Sequence, residues 1–414
     1  MLYCRGPHRG GWIRSIIGLS GGYNDLRANS DKSNLNVKIK DLNMKFTIER
    51  AALLKSLGHV QSVVERRNTI PILSNVRIEA GEGRLSLNAT DMDLHIVDQV
   101  AADVSQPGAT TAPAHTLYEI IRKLPEGSQV EFDSDGEGQL TIKSGRSRFT
   151  LTCLPTDDFP VMSGGDMGHT FSLPVAEIRG LIDRTRFAIS TEETRYYLNG
   201  IYLHAAERDG AKVLRAVATD GHRLASVEGP LPGNAEGMPG VIVPRKTVGE
   251  LRKLIEETVD EVAVELSETK IRFTFDGVIL TSKLIDGTFP DYERVIPAGN
   301  DKEMVVSCKT FAEAVDRVSA ISSEKSRAIK LALSSGMLVL SASSPESGTA
   351  TEELEVDYQG DAVEIGFNSR YLLDITHQIE GDNARFTLAD AASPTILSET
   401  DDTSALYVLM PMRV

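Results

Sequence analysis

Asp220-Gly221-His222 sets a carboxylate two residues from an imidazole, a pairing that can move a proton or help hold a metal ion. The serines offer nucleophiles. Neither feature grows into a catalytic constellation. The eight histidines form no His-x3-His or His-x-His cluster. There is no Gly-x-Ser-x-Gly elbow and no Gly-x4-Gly-Lys-Ser/Thr phosphate loop, so any ATP-driven step must come from another protein. Cys4, Cys153 and Cys308 are far apart and odd in number. They suggest neither a disulfide framework nor a metal knuckle, and they fit a reducing cytoplasm. These side chains argue for a non-catalytic chain that needs no cofactor and no metal.

Composition bounds what such a chain binds. Its 414 residues are 41% hydrophobic and 25% charged, enough for two to four ordinary domains. No apolar run approaches the roughly 20 residues of a membrane span. The net charge of -15 argues against nucleic acid unless the basic groups are concentrated locally.

The elements supply that local structure. Three segments share a strand followed by a helical apolar period: Lys45–Ile48 before Leu53, Leu57 and Val60; Thr170–Leu173 before Ile178 and Leu181; Val305–Cys308 before Phe311, Val315 and Val318. Each is followed about 60 to 70 residues later by a second strand-helix start, at Thr111–Pro113, Val241–Pro244 and Val363–Phe367. Pro113 and Pro244 sit where a strand hands over to a helix, which proline tolerates. Alternating strands fill the gaps, with Glu82-Gly83 and Asp276-Gly277 marking tight turns. The reading is α+β: six strand-helix-strands units, two per domain, in domains 44–165, 168–298 and 302–414. Residues 1–43 lack a sustained apolar period and are expected to be a disordered extension. Ser15–Leu19 is too short for the apolar region of a signal peptide.

Several words of the sequence resemble bacterial sliding clamps, the beta subunits of DNA polymerase III. They are Met44–Thr47, Ser144–Phe149, Arg195–Gly200, Ala218–Leu224, Val243–Lys246, Phe289–Tyr292 and Met410–Arg413. The resemblance covers residues 44 to 414. It implies three tandem clamp domains, each with two helices packed on antiparallel sheets, and a head-to-tail homodimer forming a six-domain ring round double-stranded DNA. It also implies cytoplasmic work as a processivity factor, with the polymerase III core, the clamp loader and other polymerases and repair proteins as partners.

Local charge suits that implication. The expected inner helices span 47–67, 115–124, 174–186, 244–255, 309–318 and 369–380; together they are net +6 in a chain of -15. A weakly basic lumen makes the sequence-blind, screened phosphate contacts that sliding needs. The expected DNA contacts are Arg67, Lys123, Arg146, Arg148, Arg245 and Lys246. Arg146 and Arg148 could instead pair across the subunit interface with Glu346, Glu352 and Glu353. The resemblance adds Phe149, Ala320 and Ile321 to that interface, Ala320 being smaller than the family's usual residue. It further implies a cleft for partner peptides between the second and third domains. The second domain would supply Arg195, Leu198, Thr219, Gly221, His222, Arg223, Leu224, Pro290, Arg294 and Val295. The third would supply Asn368, Tyr371, Val408, Met410, Pro411, Met412 and Arg413. Methionine and leucine make an adaptable apolar pocket. Ser326 stands where an aromatic residue often sits.

Overall fold

The computed structural model describes residues 43–162, 165–255, 260–322 and 327–413. The expected extension lies outside these residues except for its last position. The described chain is built from six units of one kind. The first has β1 (Met44–Glu49), α1 (Arg50–Gln61), β2 (Asn75–Gly81), β3 (Arg84–Thr90) and β4 (Leu94–Ala101), plus a short β5 (Asp103–Gln106). The second has β6 (Gly108–Pro113), α2 (Ala114–Lys123), β7 (Gln129–Ser134), β8 (Gln139–Ser144) and β9 (Ser147–Thr152). Next come β10 (His169–Pro174), α3 (Val175–Asp183), β11 (Gly200–Arg208), β12 (Ala211–Thr219) and β13 (Arg223–Pro230). The fourth has β14 (Val241–Pro244), α4 (Arg245–Leu254), β15 (Glu261–Leu266), β16 (Lys270–Phe275) and β17 (Val278–Lys283). The fifth has β18 (Lys302–Ser307), α5 (Cys308–Ser319), β19 (Ala328–Ser334), β20 (Met337–Ser344) and β21 (Gly348–Glu355), plus a short β22 (Asp357–Tyr358). The last has β23 (Val363–Asn368), α6 (Ser369–Thr376), β24 (Asn383–Leu388), β25 (Thr395–Glu399) and β26 (Ala405–Leu409).

Local chemistry explains the hand-over from strand to helix. Pro113, Pro174 and Pro244 precede α2, α3 and α4. Glu49, Ser307 and Asn368 precede the other helices, and their side chains accept hydrogen bonds from backbone amides of the first turn. The amide of the first helical residue donates to the residue just before a strand of the companion unit. This bond recurs at Arg50, Val175, Arg245, Cys308 and Ser369. The turns at Glu82-Gly83 and Asp276-Gly277 have positive φ at both positions, as a tight hairpin requires. The first helix is shorter than the 47–67 expected. Met44–Glu49 alternates inward and outward as a strand, and the Ser62 hydroxyl bonds the His59 carbonyl where the helix ends.

Pairing of units follows two rules. The opening strand of each unit crosses to its companion: β1 pairs with β7 and β6 with β2, β10 with β15 and β14 with β11, β18 with β24 and β23 with β19. Each pair of units thereby becomes one domain, with α1 on α2, α3 on α4 and α5 on α6. The second rule joins domains. The closing strand of a domain's first unit pairs antiparallel with the closing strand of the following domain's second unit. So β4 pairs with β17, and β13 with β26. Sheets therefore run through both domain junctions, one of eight strands and one of nine. Phe46 stacks on Phe132 and Phe311 meets Phe386 edge-on in the cores beneath. No helix among the described residues is long and apolar enough to cross a membrane.

Candidate partner cleft and DNA-facing cations

The cleft residues gather at the second junction. The turn between β12 and β13 is fixed by its own side chains. Thr219 Oγ1 donates to the Arg223 carbonyl at 2.7 Å and accepts from the Gly221 amide at 3.1 Å. Asp220 Oδ1 accepts from the amides of His222 and Arg223 at 2.9 and 3.0 Å. This turn bends Gly221 to a φ of +87°. The Arg195 guanidinium lies so close that a Cβ on Gly221 would be 2.6 Å from Arg195 Nη1. Arg195 is in turn gripped by Glu192, with both contacts at 2.7 Å, and this pairing holds the Glu192 carboxyl below its ordinary range.

Arg223 is held almost wholly inside the junction. Its side chain is 9% exposed and each of its three guanidinium nitrogens donates a hydrogen bond. It donates to Asp220 at 3.2 Å, to Asp374 of α6 at 2.5 Å and to the Phe187 carbonyl at 2.6 Å. Its flat face lies over the Tyr371 ring at 4.3 Å, with the Phe187 ring at 5.0 Å. It ties the second domain to the third.

Leu198, Leu224 and Val408 are likewise buried, in a small cluster with Val217, Ile242, Phe289 and Tyr292. They form the floor. Above them the exposed apolar groups are Tyr196 at 53%, Val295 at 47% and Met410 at 40%. His222 stacks near Tyr371, with ring centroids 6.3 Å apart. Pro290, Arg294 and Arg413 are exposed, while Thr219, Asn368, Pro411 and Met412 are half-buried. The tail is pinned by two backbone bonds, Met410 amide to His222 carbonyl at 2.9 Å and Met412 amide to Gly366 carbonyl at 2.8 Å. Glu192, Phe187, Tyr196 and Asp374 complete this constellation and were not read from the sequence. Ser326 lies outside the described residues.

The cations divide. Arg67, Lys123 and Arg245 are exposed beside or on helices, Lys123 leaning on Glu119 at 3.5 Å. Lys246 is already engaged by Asp91 and by Glu65 at 3.2 Å, across the first junction. Arg50 is spent internally, donating to the last carbonyls of α2 at Ile121 and Arg122. Arg146 and Arg148 are exposed on the β8–β9 hairpin and not on a helix. On β21, Glu352 is held by Arg317 at 2.5 Å, while Glu346 and Glu353 are exposed. Ala320 and Ile321 follow α5, and Phe149 packs partly against the core.

Three consecutive families cover the described chain. They are the N-terminal, central and C-terminal domains of the DNA polymerase III beta subunit, at residues 44–163, 172–291 and 293–413. The chain belongs to the DNA polymerase III beta subunit family. The beta sliding clamp of Caulobacter vibrioides is 56% identical over 372 residues, 90% of this chain and all of that protein. The Escherichia coli clamp is 41% identical over the same share of each. A solved sliding clamp from Bartonella birtlesii, bound to griselimycin, superposes with a TM-score of 0.88 at 51% identity, covering 90% of this chain and 100% of that one. A Caulobacter crescentus clamp matches with a TM-score of 0.88 at 56% identity, over 90% and 99%; it has PEG bound to a putative beta-motif tethering region. The three α+β domains joined by through-running sheets are thus three sliding-clamp domains.

Proposed function

We propose that two copies of this chain join head to tail into a ring round duplex DNA, and that the cleft at the second junction holds short apolar peptides of its partners. As a sliding clamp the chain serves as the processivity factor of DNA polymerase III. The polymerase core, the clamp loader and other DNA-processing proteins would share that cleft.

One observation carries the ring. Among the described residues the second pairing rule leaves two closing strands without a junction partner: β21 of the third domain and β9 of the first. The same rule applied to a second copy pairs β21 of one chain with β9 of the other. Heterologous contacts of this kind close into a ring when the rotation per domain allows it. Arg146 and Arg148 on one edge face Glu346 and Glu353 on the other in sign. The DNA would meet Arg67, Lys123 and Arg245, a thin screen of positive charge suited to sliding.

The test is topological. Purified protein should run near twice its chain mass. Loaded on circular DNA it should be retained, and it should slide off once that DNA is cut. Equal retention on both forms would refute encirclement.

A further inference from the structure

We propose that the first junction, between the first and second domains, is a second docking site for a short apolar peptide segment with basic flanks, carried by a protein partner. The proposal rests on the reading of the second junction as a peptide cleft, because it comes from comparing the two.

The junctions are built alike. Ala89-Thr90-Asp91 repeats Ala218-Thr219-Asp220. Thr90 Oγ1 donates to the Leu94 carbonyl at 2.8 Å and accepts from the Met92 amide at 3.1 Å, as Thr219 does with Arg223 and Gly221. Asp91 Oδ1 takes the amides of Asp93 and Leu94, as Asp220 takes those of His222 and Arg223. The Lys283 amide bonds the Asp93 carbonyl at 2.8 Å, where Met410 bonds His222 at 2.9 Å. Beneath lies an equivalent floor: Leu73 packs with Phe159, as Leu198 packs with Phe289.

What lies above the floor points to a ligand. Among the described residues, six large apolar side chains stand out as exposed. Three belong to the cleft already described. The other three are Ile70 at 48% and Met92 at 46%, both at counterpart positions, and Val161 at 71%, two residues after Phe159 of the floor. By the register of the two junctions, Ile70 takes the place of Arg195 and Met92 that of Gly221. Met92 holds a φ of +81°, a left-handed backbone that an L side chain adopts at a cost and for which glycine serves in the other junction. An exposed methionine at the glycine position, with an exposed isoleucine at the Arg195 position, is strained and solvated. Its adaptable side chain suits a bound apolar segment.

Charge selects the flanks. Asp157 and Asp158 precede Phe159 and are exposed. Asp93 and Glu65 are 78% and 58% exposed, and the nearby Lys283 and Lys246 are already paired with them. Arg195 and Arg223 have the apolar counterparts Ile70 and Leu94 here. The counterpart site is therefore more apolar than the cleft, and Asp157 and Asp158 give it an exposed acidic rim.

A fluorescent heptapeptide of two lysines, leucine, phenylalanine, leucine and two lysines serves as the probe, titrated into the full chain by calorimetry. Two molecules should bind per chain. Met92→Gly should remove one site, at least tenfold weaker, while Tm stays or rises because backbone strain is relieved. A structural role for Met92 would instead lower Tm. Ile70→Ser should weaken the same site. Removing Met410 to Val414 should abolish the other. One site per chain with Met92→Gly silent overturns the proposal. So does a change of assembly mass on Met92→Gly, which would mean a second copy covers this face. If removal of the tail spares both sites, the cleft reading fails by itself, and the Met92→Gly result still decides the first junction.

Discussion

At the scale of single residues, the site depends on side chains that hold it more than on those that face out. Arg223 is the clearest case: three acceptors and two aromatic faces consume its guanidinium. Removing it takes the nearest cation from Asp374 and Asp220, both half-buried at the junction, and uncovers the Tyr371 and Phe187 rings. Arg223→Ala should therefore lower Tm sharply and loosen peptide binding as a consequence; unchanged melting would contradict the keystone role. Gly221→Ala acts differently. It strains a φ of +87° and drives a methyl group into Arg195. The displaced Arg195 should weaken peptide affinity about tenfold, and the strain, ~1 kcal/mol or more for a side chain in this backbone region, should lower melting modestly. Fluorescence anisotropy with a partner peptide reads the first effect and calorimetry the second. Lys246 separates from Arg245 in the same way. Lys246→Ala should lower Tm by unpairing Asp91 and Glu65, while Arg245→Ala should leave Tm alone and weaken retention on circular DNA. The reverse pattern would reassign both.

At the scale of elements, much was legible. Each helix announced itself by apolar residues at three- and four-residue spacing, and Pro113 and Pro244 fixed two of the starts. The exchange of opening strands was not legible, because β1 and β7 are joined by pairing across some 80 residues that leaves no local mark. Nor were the sheets that cross the junctions. The cleft was named from matched words, yet the burial of Arg223, Leu198, Leu224 and Val408 follows only from tertiary packing. The ion pair of Glu352 with Arg317, 35 residues away in sequence but adjacent in space, was not legible either. The repeat of Ala89-Thr90-Asp91 was a signal that self-comparison would have found. Strands also set a pH response. Burial pushes the imidazoles of His95 on β4 and His204 on β11 below their ordinary value, assisted by Arg77 and Arg215 respectively. A depressed folded value means the unfolded chain takes up the proton first. Stability should hold above about pH 6.5 and decline as pH falls below it. Melting temperatures between pH 7.5 and 5.5 check this, and His204→Phe should flatten the slope.

At the scale of the whole molecule, the proposed ring turns on two strand edges. Arg146→Glu with Arg148→Glu should shift the dimer toward monomer in sedimentation, and Glu346→Arg with Glu353→Arg on the other edge should restore association between the two variants when they are mixed. If the double Arg variant stays dimeric and instead loses DNA, these arginines serve the lumen.

The pairing rule that joins the domains carries no instruction to stop. Each chain presents one donor edge and one acceptor edge, and nothing in β9 or β21 distinguishes the second copy from a third. Only the angle turned at each junction decides between a closed object and an endless one. A substitution that flattens that angle, with both edges intact, should therefore produce fibres that lengthen with concentration instead of free monomers.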